Sequence, residues 1–203
     1  MNKLIGISGK MQAGKDTTAL MIAWLLEYNQ YHDFDVLTYA SYSRFDIPSW
    51  VRYSIYKFAD YLKECVSAIT GFPRNSLESK FVKDQQLEWL NNITVRELMQ
   101  KFGEAGRDKI MPDFWIRCTL RNYSPDKLMI ISDVRYQNEV KAIKDLGGII
   151  IRINRPNSPK SNHISEIDLD NYDDWDYVID NSGTLEDLFN KCKDLCISLG
   201  LSK

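Results

Sequence analysis

The sequence predicts a three-layer α/β fold, a central parallel sheet between layers of helices, and three observations predict it. A short apolar run, Lys3 to Ser8, ends in glycine and leads through a loop into a helical stretch beginning at Thr17-Thr18. A second block reads strand, helix, strand: Lys127 to Ser132, then Glu139 to Leu146 with Gly147-Gly148 as its stop, then Ile149 to Asn154. The runs Leu128-Met129-Ile130-Ile131 and Ile149-Ile150-Ile151 are continuously apolar, as expected of strands covered on both faces.

The other elements follow in chain order. Tyr31 to Tyr53 is rich in tyrosine and irregular, and its pattern assigns no element. Thr94 and Glu97 form a capping-box signal for a helix to about Gly103. Pro112-Asp113 opens another helix, carrying Phe114, Trp115, Ile116 and Leu120. Arg155 to Asp174 is polar and contains Pro156, Ser158, Pro159 and Ser161, which reads as a mobile loop or lid with room for a short helix. Tyr177 to Ile179 is a short strand, and Thr184 with Asp187 starts a last helix that runs through Leu199 and stops at Gly200. A chain of 203 residues suits one domain. We read residues 1–203 as that domain, with a helical insertion at about 50–123 and a lid at about 155–174.

Composition narrows the function classes. Hydrophobic residues at 44% and charged residues at 27% are those of a globular protein. The formal net charge of -2 offers no polybasic face, so nucleic acid is disfavoured as a partner and a small phosphorylated ligand is not. Apolar stretches such as Leu20 to Leu26 are too short for a bilayer and the N-terminus has no signal-peptide pattern, so a cytoplasmic protein without a membrane partner is expected. Of four cysteines, Cys192 and Cys196 share a helix face. With His32 and His163 as the sole histidines, they read as reduced helix residues and not as zinc ligands.

The chemistry concentrates after the first strand. Gly9-Lys10-Met11-Gln12-Ala13-Gly14-Lys15 matches the first seven positions of the P-loop pattern and lies between a strand and a helix. Backbone N–H groups wrapped around the phosphates, the helix N-terminus and the Lys15 ammonium are what a nucleotide triphosphate needs there. The fold class is therefore that of the P-loop NTPases. The next position usually carries the hydroxyl that ligates magnesium, and here it is Asp16, followed by Thr17 and Thr18. Asp16 could hold magnesium through water, orient a backbone group or cap the helix, while Thr17 contacts the α-phosphate. Asp133, just after the strand ending at Ile131, belongs at the ligand crevice, where it could serve magnesium or the acceptor. Arg135 is placed to neutralise a phosphoryl group.

Several further blocks stand in series with these. They include Gly14 to Ala19, Phe58-Ala59-Asp60 with Lys63-Glu64, Gly106-Arg107-Asp108, Ser132 to Tyr136 with Asn138-Glu139, His163 with Ser165-Glu166, and Asn181 with Gly183. Together they resemble the phage-type deoxynucleoside monophosphate kinases over most of the chain, Tyr31 to Tyr53 standing as an insertion. The resemblance implies ATP and Mg2+, with Lys15, Asp133 and Arg135 as catalytic residues. It implies a nucleotide site of Gly9, Lys10, Ala13, Gly14, Lys15, Asp16, Thr17 and Thr18 with Arg155, Asn181 and Gly183, the last two bordering the adenine. It puts the metal at Asp16 and Asp133 and the acceptor at Asp60, Lys63, Arg107, Trp115, Arg135 and Asn138, with Arg107 on its phosphate and Trp115 stacked on its base or simply in the core. Arg155, Lys160 and His163 fall in the lid. A homodimer is compatible with the sequence. Rival readings are another small-acceptor kinase, such as one acting on dephospho-coenzyme A, and a non-catalytic nucleotide switch.

Overall fold

A computed structural model describes residues 3–28, 53–159 and 163–201, so most of the tyrosine-rich segment, His32 and Lys160 lie outside the described residues. Strand β1 (Leu4–Gly9) is buried along its whole length and continues through the glycine loop into helix α1 (Lys15–Tyr28). Strands β2 (Tyr53–Tyr56), β5 (Leu128–Val134), β6 (Ile149–Asn154) and β7 (Tyr177–Asp180) join it in a five-stranded sheet of order β2-β5-β1-β6-β7 among the described residues. Every pairing is parallel. That accounts for the apolar runs: all seven residues of β5 and the first three of β6 are buried.

The central strand has a glycine where the covering layer comes closest. A Cβ on Gly6 would stand 2.7 Å from the Ile143 side chain and 2.8 Å from that of Ile150. Ile143 belongs to helix α6 (Gln137–Asp145), which follows β5. On α1, Trp24 meets Phe189 of the last helix, α8 (Leu185–Ser198), edge to face with centroids 5.4 Å apart. Cys192 and Cys196 lie in the core beside them, and burial pushes both thiols up, that of Cys196 to about 12. The α8 cap is the one read from Thr184 and Asp187, with the Asp187 amide donating to the Thr184 hydroxyl at 3.1 Å.

The chain divides into two compact units, one built from both ends of the sequence and one from Lys57–Asn122. The second contains α2 (Asp60–Thr70), a 3-10 turn (Arg74–Glu78), α3 (Lys80–Lys83), a small antiparallel pair β3 (Gln86–Leu87) and β4 (Ile93–Thr94), α4 (Val95–Ala105), a π-helical turn (Gly106–Ile110) and α5 (Phe114–Leu120). Val66, Leu77, Leu87, Val95 and Leu98 form its own apolar centre. The Thr94 and Glu97 capping box is present, but α4 extends two residues past Gly103 because nothing at that glycine leaves the helical conformation. The segment read as a lid contains one helical turn, α7 (Ile164–Ile167), capped by His163.

Candidate active site

Parallel order makes the geometry. The C-terminal ends of β1 and β5 are neighbours, and β6 flanks β1 on its other side, so residues at or just past three strand ends open onto one crevice; Asp133, expected just after its strand, lies within β5, which runs on to Val134. The β1–β5 register runs Gly6 to Ile131 and then Ser8 to Val134, so Ser132 and Asp133 together face the single residue Ile7. This bulge interrupts the strict alternation that would send two successive side chains to opposite faces.

In the loop, Gln12 and Gly14 have φ of 62° and 103°, the left-handed values that curl the backbone round. The Ala13 amide donates to the Lys10 carbonyl at 3.1 Å. A Cβ on Gly14 would lie 2.5 Å from Nδ2 of Asn181, so the glycine also makes room for a neighbour. That Nδ2 donates to the Ala13 carbonyl at 2.8 Å within the buried part of the loop. Asn181 thus supports the loop, and Gly183 sits against the Asp187 side chain at the start of α8.

Lys15 Nζ donates to the carbonyls of Gly9 at 2.7 Å and Lys10 at 2.8 Å, with only 8% of the residue exposed. Burial pushes its pKa down to about 7; Arg135 and, more weakly, Arg152 add to the fall, while Asp16 and Asp133 oppose it. Those four charges therefore act on the ammonium. Phosphate anions brought to the loop would favour its charged form. The exposed Asp16 carboxylate accepts from the Ser132 hydroxyl at 2.7 Å, which ties the start of α1 to the bulge of β5. Thr18 spends its hydroxyl inside the helix, on the Gly14 carbonyl at 3.0 Å.

Arg135 is held at both ends. Its amide donates to Glu139 Oε2 at 2.7 Å, and its guanidinium pairs with Glu166. Asn138 is exposed in the first turn of α6. Arg155 reaches the Gln12 carbonyl at 3.5 Å, and Lys10 pairs with Asp170 and with the Glu166 carbonyl. Ser8, Lys10, Arg135, Arg152 and Glu166 line one cleft here.

Sequence reasoning missed Arg152, whose guanidinium donates to Ser8 Oγ at 3.1 Å and stacks 5.1 Å from the Trp175 ring. The available signal was an arginine and a serine interrupting otherwise apolar strands. It also missed the roles of Ser132 and Glu166, whose partners are remote in sequence.

The remaining candidates lie in the second unit. Asp60 pairs with Arg74 at 2.5 Å and accepts the Lys57 amide at 2.7 Å, while Lys63, 5% exposed, pairs with Glu78 at 2.7 Å. Trp115 is 4% exposed, donates Nε1–H to the Gly103 carbonyl at 2.9 Å and meets Phe114 edge to face. Of the two roles the sequence offered it, this packing is that of a core residue. Arg107 is half-buried on the π-helical turn, near the space left by the missing side chain of Gly103.

No helix among the described residues is long and apolar enough to cross a membrane. A family model described as deoxynucleotide monophosphate kinase matches residues 49–192. A putative deoxynucleotide monophosphate kinase of Acanthamoeba polyphaga mimivirus is 38% identical over 114 residues, 48% of this chain and 58% of that protein. The deoxynucleotide monophosphate kinase of Enterobacteria phage T4 is 36% identical over 120 residues, 52% of this chain and 48% of its own. That of Escherichia phage RB69 is 27% identical over 119 residues, 53% of this chain and 48% of its own. The chain spans about half the length of these relatives. A glycine-rich loop between β1 and α1, an acidic residue near the end of the neighbouring strand and a family match over most of the sequence converge: the chain belongs to the deoxynucleotide monophosphate kinase family.

Proposed function

We propose that this chain transfers the γ-phosphoryl group of ATP to the phosphate of a deoxynucleoside monophosphate. The observation that carries the reading is the buried Lys15 ammonium, set in the curl of the loop with Asp16, Asp133 and Arg135 acting on it. Membership of a nucleotide kinase family implies ATP as the donor. The acceptor phosphate is already ionised at neutral pH, so the residues need only position it and offset charge. Lys15 would lie against the β- and γ-phosphates, the loop amides would cradle them, and Arg135 would meet the transferring group. Arg107, and less directly Lys63 and Asp60 of the second unit, would belong to the acceptor side.

Asp16, Ser132 and Asp133 suit magnesium, which takes one or two carboxylates and fills its shell with phosphate oxygens and water. Among the described residues no group of three or more acidic, histidine or cysteine side chains is gathered, so those other ligands would be required. When bound with ATP, the ion would draw off charge from the phosphate oxygens.

ADP release measured with ATP, magnesium and a panel of deoxynucleoside monophosphates beside dephospho-coenzyme A tests the reading. At least one deoxynucleotide should stimulate release strongly; slow release indifferent to every acceptor would favour a nucleotide switch. Arg107→Ala, by losing a charge-assisted contact of about 1.5–3 kcal/mol, should raise the monophosphate KM roughly 10- to 150-fold with little change for ATP. A rise confined to the KM for ATP would remove Arg107 from the acceptor side.

A further inference from the structure

The segment read as a lid carries a carboxylate that reaches the glycine loop. Only 9% of the Glu166 side chain is exposed. One of its oxygens pairs with the Arg135 guanidinium, and the other accepts the amide of Met11, in the outer curve of the loop, at 3.1 Å. We propose that Glu166 is a positioning residue, whose carboxylate aims the Arg135 guanidinium at the phosphoryl group and fixes that aim to the loop holding the donor. The inference rests on the phosphoryl-transfer reading above and adds to it a residue outside the P-loop and the β5 strand end.

Three features support a built arrangement over a chance surface pair. First, Arg135 is fixed at its other end as well, its amide donating to the buried Glu139 carboxylate at 2.7 Å. An arginine anchored at backbone and guanidinium keeps its planar fork in one orientation, so little ordering is left for the reaction to require. Second, the helical turn bearing Glu166 is itself anchored. His163 Nδ1 accepts the Ser165 amide at 3.2 Å, the Glu166 carbonyl takes Lys10 Nζ, and Asp168 accepts the Gln137 amide at 2.8 Å. Gln137 opens α6, two residues beyond Arg135, so the turn and the arginine share one support. Third, the carboxylate bridges two groups that serve one reaction: the loop that cradles the donor phosphates and the cation that meets the group in transit. A shift of about 1 Å in such a group can cost on the order of 10² in rate.

Glu166→Gln keeps the shape and one acceptor for the Met11 amide but removes the charge that holds Arg135. Where the wild type is active, kcat should fall about 10- to 100-fold in this variant while both KM values stay within about threefold. Arg135→Lys should also be slow, and the double variant no slower than Arg135→Lys alone, because the two residues act as one unit. Glu166→Asp, charged but one methylene shorter, should fall between wild type and Glu166→Gln, and it serves if the glutamine variant melts early. Independently of activity, 15N-labelled protein at low temperature should give a resolved Arg135 Nη–H signal, assigned by its loss in Arg135→Lys and averaged away in Glu166→Gln. An unaltered signal in Glu166→Gln, additive losses in the double variant, or a faster Glu166→Gln enzyme would overturn the proposal. A wild-type chain inert toward every monophosphate would instead sink the kinase reading, with the Arg135 signal still deciding whether Glu166 holds the arginine.

Discussion

Taking a lysine ammonium out of water is expensive, and Lys15 is so placed: two loop carbonyls lie within 2.8 Å and its pKa is drawn down to about 7 by burial first and Arg135 second. On the phosphoryl-transfer reading, such a group serves the anion it would meet and not the fold. Lys15→Met, which retains the apolar stem, should therefore lose at least about 10² in kcat/KM while melting at or above the wild-type temperature. Parallel kinetics and melting curves check this, and a variant that is active or markedly less stable would contradict it. Lys15 was legible because the loop pattern is local: seven successive residues, Gly9 to Lys15, specify it. Glu166 and Arg152 were not, because Met11 and Ser8, their partners, stand 155 and 144 residues away. Trp115 was ambiguous for another reason. An aromatic residue on a helix reads the same whether its ring packs inward or receives a base, and only burial separates the two.

Between residues and the molecule stand the elements, and the second unit is organised by charge as well as by its apolar centre. Glu78, at the end of the 3-10 turn, gathers Lys63 at 2.7 Å, Arg74 at 2.9 Å and Lys57 at 3.6 Å. Burial pushes its carboxyl up, but Lys63 and then Lys57 outweigh that and bring it down to about 2. A carboxyl depressed in the folded chain contributes stability above its unfolded value near 4.5, and the contribution is lost as pH falls toward 2. Since 41% of the side chain is exposed, solvent screening keeps the effect modest. Glu78→Gln should lower the urea midpoint at pH 7, and the gap from wild type should close between about pH 4.5 and 2. A gap constant with pH would mean that the carboxylate charge is not what matters. Sequence patterns located these elements well where a cap or an apolar run marked them, as at Thr94, Thr184 and β5. They did not locate the 3-10 turn or β3 and β4, which are short and owe their conformation to packing around Leu77 and Leu87.

For the whole molecule, the α/β architecture was legible because a buried parallel strand needs an unbroken apolar run, and β1, β5 and β6 each have one. Strand order was not, since nothing local says that β1 inserts between β5 and β6. That arrangement makes the glycine loop depend on residues remote in sequence. Asn181, just past the last strand, supplies the buried bond to the Ala13 carbonyl, and α8 covers α1. Asn181→Ala should cost about 1–3 kcal/mol in urea unfolding by leaving that carbonyl unpaired, and it should raise the KM for ATP with the monophosphate KM unchanged. Equal effects on both substrates would show a general loss of fold. The same bond has a consequence in time. Ala13 and Asn181 are 168 residues apart, so at about 5–20 residues per second a ribosome needs roughly 8–34 s to deliver the second after the first. A nascent chain therefore carries the loop's sequence well before it can make the bond that supports the loop.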